Sequence, residues 1–167
     1  CLVVDHSNGL PLYYPNLYLT TQQRNRSVAL ATIEAEASHL VAFQRYLDRR
    51  GIDLEERFSK KQFFKDFELD DLRDFSQRKL RKLSVASSSS SMFSLEELEA
   101  SSDKVSNGTQ YVRLTAIANY LGWFAKHLLD KSEKGVVEQI DGMCEQIKVR
   151  RPEKKSRNDN RRDKSLS

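Results

Sequence analysis

A chain of 167 residues with 38% apolar and 31% charged side chains has room for one ordinary domain with a modest core plus loosely ordered appendages. Its two cysteines, Cys1 and Cys144, exclude a disulfide framework and a cysteine-rich zinc site, and it lacks the run of roughly eighteen apolar residues that a membrane span needs. The net charge of +4 is unevenly placed: residues 148–164 hold nine Lys or Arg against three acids, so the rest of the chain is slightly acidic.

In chain order, residues 2–14 hold two short apolar or aromatic runs around Ser7, Asn8 and Gly9, which predicts a small β-hairpin or an extended arm over residues 1–27. The polar stretch YLTTQQRNRS follows. Thr20, Thr21, Gln22, Gln23 and Ser27 can donate to phosphate oxygens, with Arg24 and Arg26 as bidentate anchors; a solvated loop leading into the next helix is the plainer alternative.

Residues 32–50 carry Ile33, Ala37, Leu40, Phe43 or Gln44, and Leu47 at helical spacing, with Ser27 or Thr32 as cap and Gly51 as stop. His39 in this helix stands alone and reads as a packed side chain. Phe58, Phe63, Phe64 and Phe67 read as core. Residues 68–83 predict a further helix with Leu69, Leu72, Phe75 or Ser76, Leu80 and Leu83 inside. Its acids come first and Arg78, Lys79, Arg81 and Lys82 last, as the helix dipole favours, so those four cations are not assigned to a ligand.

A serine run, part of a flexible loop over 84–94, precedes a short helix from Ser94 to about residue 100. Residues 109–129 then give the longest amphipathic pattern, with Val112, Ile117, Leu121, Phe124 and Leu128 on one face and Arg113, Asn119, Lys126 and His127 largely off it. Residues 133–149 predict the last helix, weakened by Gly135 and Gly142 and ended by Arg150, Arg151 and Pro152. The basic stretch 151–167 is expected to be disordered in isolation; by composition it suits phosphate or an acidic surface, or serves as a solvated linker.

No glycine-rich phosphate loop, His-Glu-x-x-His, Cys-x-x-Cys or nucleophile elbow occurs, and His6, His39 and His127 are scattered. Neither catalytic residues nor a metal or cofactor site can be assigned, which leaves a binding function.

The phrases GLPLYYPNLYLTTQQRNRS, YLDRRGIDLEER and YVRLTAIANYLGWFAKHLL resemble the N-terminal core-binding domain of tyrosine recombinases, the phage-type site-specific integrases, over residues 9–150. The resemblance implies an all-α, SAM-like bundle of about four main helices over 28–150, followed by an interdomain linker at 151–167. It also implies a separate catalytic domain with a His-x-x-Arg pair and a tyrosine nucleophile, which this chain lacks: its histidines are followed by Ser-Asn-Gly, Leu-Val-Ala and Leu-Leu-Asp. The chain therefore reads as a piece of a longer protein.

The implied partner is double-stranded attachment-site DNA, bound in the bacterial cytoplasm at the nucleoid, with self-association into a synaptic tetramer in the full-length protein. The implied DNA contacts are Thr20, Thr21, Arg24, Arg26, Gln110, Tyr111, Arg113, Asn119, Lys126, Arg150 and Arg151. The competing reading is a helical protein-interaction domain with a solubilising basic tail.

Overall fold

The computed structural model describes residues 2–5, 7–23, 26–80 and 103–153. These form six α-helices: α1 Tyr13–Tyr18, α2 Leu30–Arg50, α3 Leu54–Ser59, α4 Asp66–Ser76, α5 Asn107–Leu128 and α6 Val136–Val149. A π-helical turn, Leu19–Gln23, extends α1. The architecture is all-α, and among the described residues there is no β-strand. Two isolated antiparallel bridges stand in place of sheet, Val4 with Pro11 and Arg78 with Lys104.

The hairpin or extended arm expected over residues 1–27 is reduced to a tight turn before Leu12, and residues 13–23 of that span are helical instead. Asp5 N–H donates to the Leu10 carbonyl at 2.8 Å, Gly9 takes the left-handed conformation (φ +69°), and Pro11, having no N–H, cannot extend the ladder. Asn16 of α1 ties the arm down instead. Its Oδ1 accepts from Val3 N–H at 2.8 Å and its Nδ2 donates to the carbonyls of Val3 and Leu12, while the Val3 side chain is buried.

The end of α2 follows its sequence signal. Gly51 is left-handed (φ +61°), with Gly51 N–H bonded to Asp48 O and Ile52 N–H to Leu47 O, the paired bonds of a Schellman stop. Its start does not: the helix begins at Leu30 behind Ala29, and neither Ser27 nor Thr32 supplies a cap bond. Asp53 caps α3 by accepting from Glu56 N–H, and Ser106 caps α5 by accepting from Thr109 N–H. Gly135 lies at the N-cap of α6 with φ +87°, outside the helix it was expected to weaken.

α5 is the central element and is bordered by α1, α2, α3, α4 and α6. Leu114, Ile117, Ala118, Leu121, Phe124 and Ala125 are all buried, whereas Val112, expected on the apolar stripe, is half exposed. With neighbours on several sides, a single apolar stripe understates what α5 buries. α6 comes closest at small residues: Cys144 Sγ donates to the Ala118 carbonyl at 3.3 Å, and a Cβ on Gly122 would stand 3.1 Å from that sulfur.

An aromatic layer joins α1, α2 and α3 to α5, through Tyr18 on Tyr120, Phe43 on Tyr120 and Phe58 on Phe124, and joins α4 to α2 through Tyr46 on Phe75. Phe58 and Phe64 are buried as expected and Phe63 partly so. Phe67 is 68% exposed, because it lies off the face by which α4 buries Leu69, Leu72 and Phe75.

The helix expected over 68–83 stops at Ser76, where the chain turns to pair with Lys104. Leu80 is partly buried against the core, and Leu83 falls outside the described residues, as do the serine run, the short helix after Ser94 and the tail beyond 153. No described helix is long and apolar enough to cross a membrane.

Candidate nucleic-acid interface

The residues expected to face a ligand separate into two sets. Gln110 and Arg113, in the first turns of α5, point inward and are 2% and 6% exposed. Arg113 Nη1 donates to the carbonyls of Ser76 (2.7 Å) and Arg78 (3.0 Å), and Gln110 Nε2 donates to Arg73 O (3.1 Å) and Ser76 Oγ (3.4 Å). A helix end leaves its last carbonyls without partners in the helix, and these two side chains supply partners from 30 or more residues away. Both are buried in the fold and not the surface contacts expected of them.

Among the described residues Arg113 makes no ion pair, and burial lowers its pKa from the ordinary value without neutralising it. His39 lies close enough to sense that charge. Its Nδ1 is buried without a hydrogen-bond partner, and burial together with Arg113 pushes its pKa down to about 4. It is a neutral, packed histidine at ordinary pH.

The second set lies along one edge of α5. Spacings of four, four and seven residues place Tyr111, Thr115, Asn119 and Lys126 in a row, and α6 runs antiparallel beside it. At one end Arg151 stacks its guanidinium 4.4 Å from the Tyr111 ring centroid, with Nη1 on Thr115 Oγ1 (3.0 Å) and Nε on the Lys148 carbonyl (2.9 Å). At the other end Lys126 pairs with Asp141 at 2.7 Å. Asn119, between them, is exposed. From Tyr111 to Lys126 the row is about 22 Å long at 1.5 Å per residue.

Arg150 is committed elsewhere. Nε binds Asp70 at 2.7 Å, Nη2 reaches Asp66 at 3.4 Å and Nη1 donates to Gln146, which locks the end of α6 to the first turns of α4. The Arg150 hydrogen bond holds the Asp70 carboxyl below its usual range.

Thr20, Thr21 and Arg26 lie apart from this row, in the passage from α1 to α2. Thr20 and Arg26 are exposed, and Thr21 spends its hydroxyl on the Leu17 carbonyl at 2.7 Å. Tyr18, just before them, packs on Tyr120 and Trp123 in the later half of α5. Arg24 falls outside the described residues.

Thr115 was missed from sequence because a threonine inside a helix carries no binding signal; only the Arg151 contact singles it out. Among the described residues no three His, Cys, Asp or Glu side chains gather as metal ligands would.

No family model, curated protein or solved structure matches the chain.

Proposed function

We propose that this chain is the DNA-binding, non-catalytic part of a tyrosine recombinase, gripping attachment-site duplex for strand exchange carried out by a separate catalytic domain. The observation that carries the reading is the edge of α5 on which Tyr111, Thr115, Asn119 and Lys126 follow one another. It belongs to the stretch whose sequence resembles the family, and Arg151 joins it at the start of the chain's most basic segment. Its length of about 22 Å covers roughly six base steps of a duplex at 3.4 Å each.

The described residues hold as many acids as bases. Attraction to DNA must therefore come from local gatherings of cations and from the segment beyond residue 153, not from the overall charge of the helices. In this arrangement the stacked Arg151 and the hydroxyl of Thr20 bind backbone phosphates, and Asn119, whose amide can pair with a base edge, supplies sequence preference.

The test is duplex binding over a salt series, for the full chain and for a chain ending at Arg151. Tight binding at low salt that weakens steeply with salt, with a shallower slope in the shortened chain, supports the reading. No binding to any duplex at low salt, attachment-site duplex included, sinks it.

The protein-interaction reading draws on a different surface. Leu2, Leu10 and Tyr13 of the N-terminal arm are 62–68% exposed. Under that reading Leu10→Ser with Tyr13→Ser abolishes partner capture, whereas under ours the pair leaves duplex binding unchanged.

A further inference from the structure

Elsewhere on the helices carboxylates are matched by cations: Asp70 by Arg150, Asp71 by Arg50, Asp74 by Arg73 and Asp141 by Lys126. Asp48, Asp53 and Glu55 are not. Asp48 accepts from Gln44 Nε2 at 2.9 Å, Asp53 from Glu56 N–H at 2.9 Å and Glu55 from the Tyr14 hydroxyl at 3.2 Å. These donors are neutral, and among the described residues none of the three carboxylates forms an ion pair.

All three are exposed, and they border one open groove of about 590 Å³ to which α1, α2, α3 and α5 contribute. Tyr14, Leu47, Ile52 and Phe124 give it an apolar lining, and no Lys, Arg or His lines it. The arginines that follow Asp48 in the chain turn toward α4 instead, Arg49 to the Phe75 ring and Arg50 to Asp71. Carboxylates above an apolar lining suit the long stems and charged heads of Lys and Arg.

The chain carries a segment of matching charge. Residues 154–164, outside the described residues, hold six Lys or Arg against Asp159 and Asp163, a net charge equal to the +4 of the whole chain. Reach decides which of these cations can arrive. Arg151 sits at Tyr111, and Tyr120 and Phe124 of the groove stand further along α5 by about 14–20 Å at 1.5 Å per residue. An extended chain covers about 3.5 Å per residue, so Arg157 stays within roughly 21 Å of Arg151, whereas Arg161, Arg162 and Lys164 can lie about 35–45 Å away. Any detour round the helices lengthens the path, which leaves the later three. Exposed ion pairs are weak between separate molecules, but a tethered segment acts at an effective concentration of about a millimolar.

We infer that this groove is the docking site of the chain's own basic segment, with Arg161, Arg162 and Lys164 on Asp48, Asp53 and Glu55. Docked, those cations are withheld from any other polyanion, and a phosphate backbone must displace them; that last step alone rests on the DNA-binding reading above.

The experiment treats the full chain, at low salt and without DNA, with a zero-length carbodiimide that joins carboxyls to amines, and maps the links of Lys164 by mass spectrometry. The expected result is monomeric chain with Lys164 joined chiefly to Asp48, Asp53 or Glu55. Arg161→Gln with Arg162→Gln lies beyond α6 and keeps every reacting group, yet should lower that yield at least fivefold. Three results each overturn the inference: Lys164 joined as often to the exposed acids Glu34 and Glu138, links found only between two copies, or a yield unchanged in the arginine variant. Duplex that binds the chain should then abolish the link. A link that persists under saturating duplex overturns the displacement, whereas a chain that binds no duplex refutes the DNA-binding reading and leaves docking to be judged by the link alone.

Discussion

Two arginines stand at the first turns of α5, Arg113 on the helix itself and Arg151 just past the end of α6, and among the described residues neither has a carboxylate partner. Arg113 is buried and donates to two carbonyls at the end of α4; Arg151 lies on the face of Tyr111 and donates to Thr115. A buried guanidinium without an acid is normally expensive. It is tolerated here because a helix end offers unpaired carbonyls and the negative end of a dipole. Arg151 keeps access to water and is seated by an aromatic face, a hydroxyl and the Lys148 carbonyl. One cation therefore serves the fold and the other remains available to a ligand, although both look polar in the sequence.

The sharpest way to break that comparison is Arg113→Met, which keeps apolar bulk and removes the donor. Leaving the Ser76 and Arg78 carbonyls buried and unpaired should cost roughly 3 kcal/mol, read as a lower urea midpoint followed through Trp123 fluorescence. A midpoint moved by less than a third of that means Arg113 does not cap α4. Gln110→Leu removes a neutral donor from the same helix end and should cost about 1–2 kcal/mol in the same assay.

Acid sharpens the buried side of the comparison. His39 is held near 4 by burial and by Arg113, below its unfolded value of about 6.5. The folded state therefore binds fewer protons than the unfolded state between those values. The stability His39 contributes is fully present above about pH 6.5 and is lost as pH falls toward 4, a loss on the order of 1–2 kcal/mol after allowance for partial solvent screening. His39→Gln should flatten thermal stability across that window. It should leave intact the steeper acid loss from Asp70 and Asp71, whose carboxyls Arg150 and Arg50 hold below their usual range. If the variant follows the wild-type curve between pH 6.5 and 4, the acid sensitivity in that window belongs to other groups.

These residues also mark how far the sequence could be read. Features set by neighbours in the chain were legible: the Gly51 stop and the buried stripe of α2 through Ala37, Leu40, Phe43 and Leu47. Features set by distant partners were not. Gln110 and Arg113 fall among polar residues by periodicity, yet their partners lie more than 30 residues upstream, and no local pattern encodes that meeting. The stop of α4 at Ser76 depends on pairing with residues 103–105, so the leucines at 80 and 83 extended the apparent helix past its true end. Within the candidate interface, Tyr111, Asn119, Lys126 and Arg151 could each be named from sequence. Tyr111, Asn119 and Lys126 share an edge by spacing alone; bringing Arg151 onto it, and so singling out Thr115, required α6 to fold back along α5.

The smallest expected stability effect tests the water-facing side of the comparison most directly. Arg151→Ala removes one partly exposed cation–π contact and the bonds to the Thr115 hydroxyl and the Lys148 carbonyl, a loss of about 1 kcal/mol because water can take over both bonds, so its urea midpoint should move little. If the edge of α5 binds phosphate, the same variant must lose duplex affinity while staying folded, a separation that Arg113→Met cannot show. Arg151→Lys then divides charge from shape. Lysine keeps the positive charge but lacks the planar fork that can lie on Tyr111 while donating to Thr115 and to an outside oxygen. Should Arg151→Lys bind duplex as tightly as wild type, charge alone suffices and the Tyr111 seat is incidental. Should it fall to the level of Arg151→Ala, the seat itself orients the contact, and the difference between the two arginines lies in what each one's partners leave free.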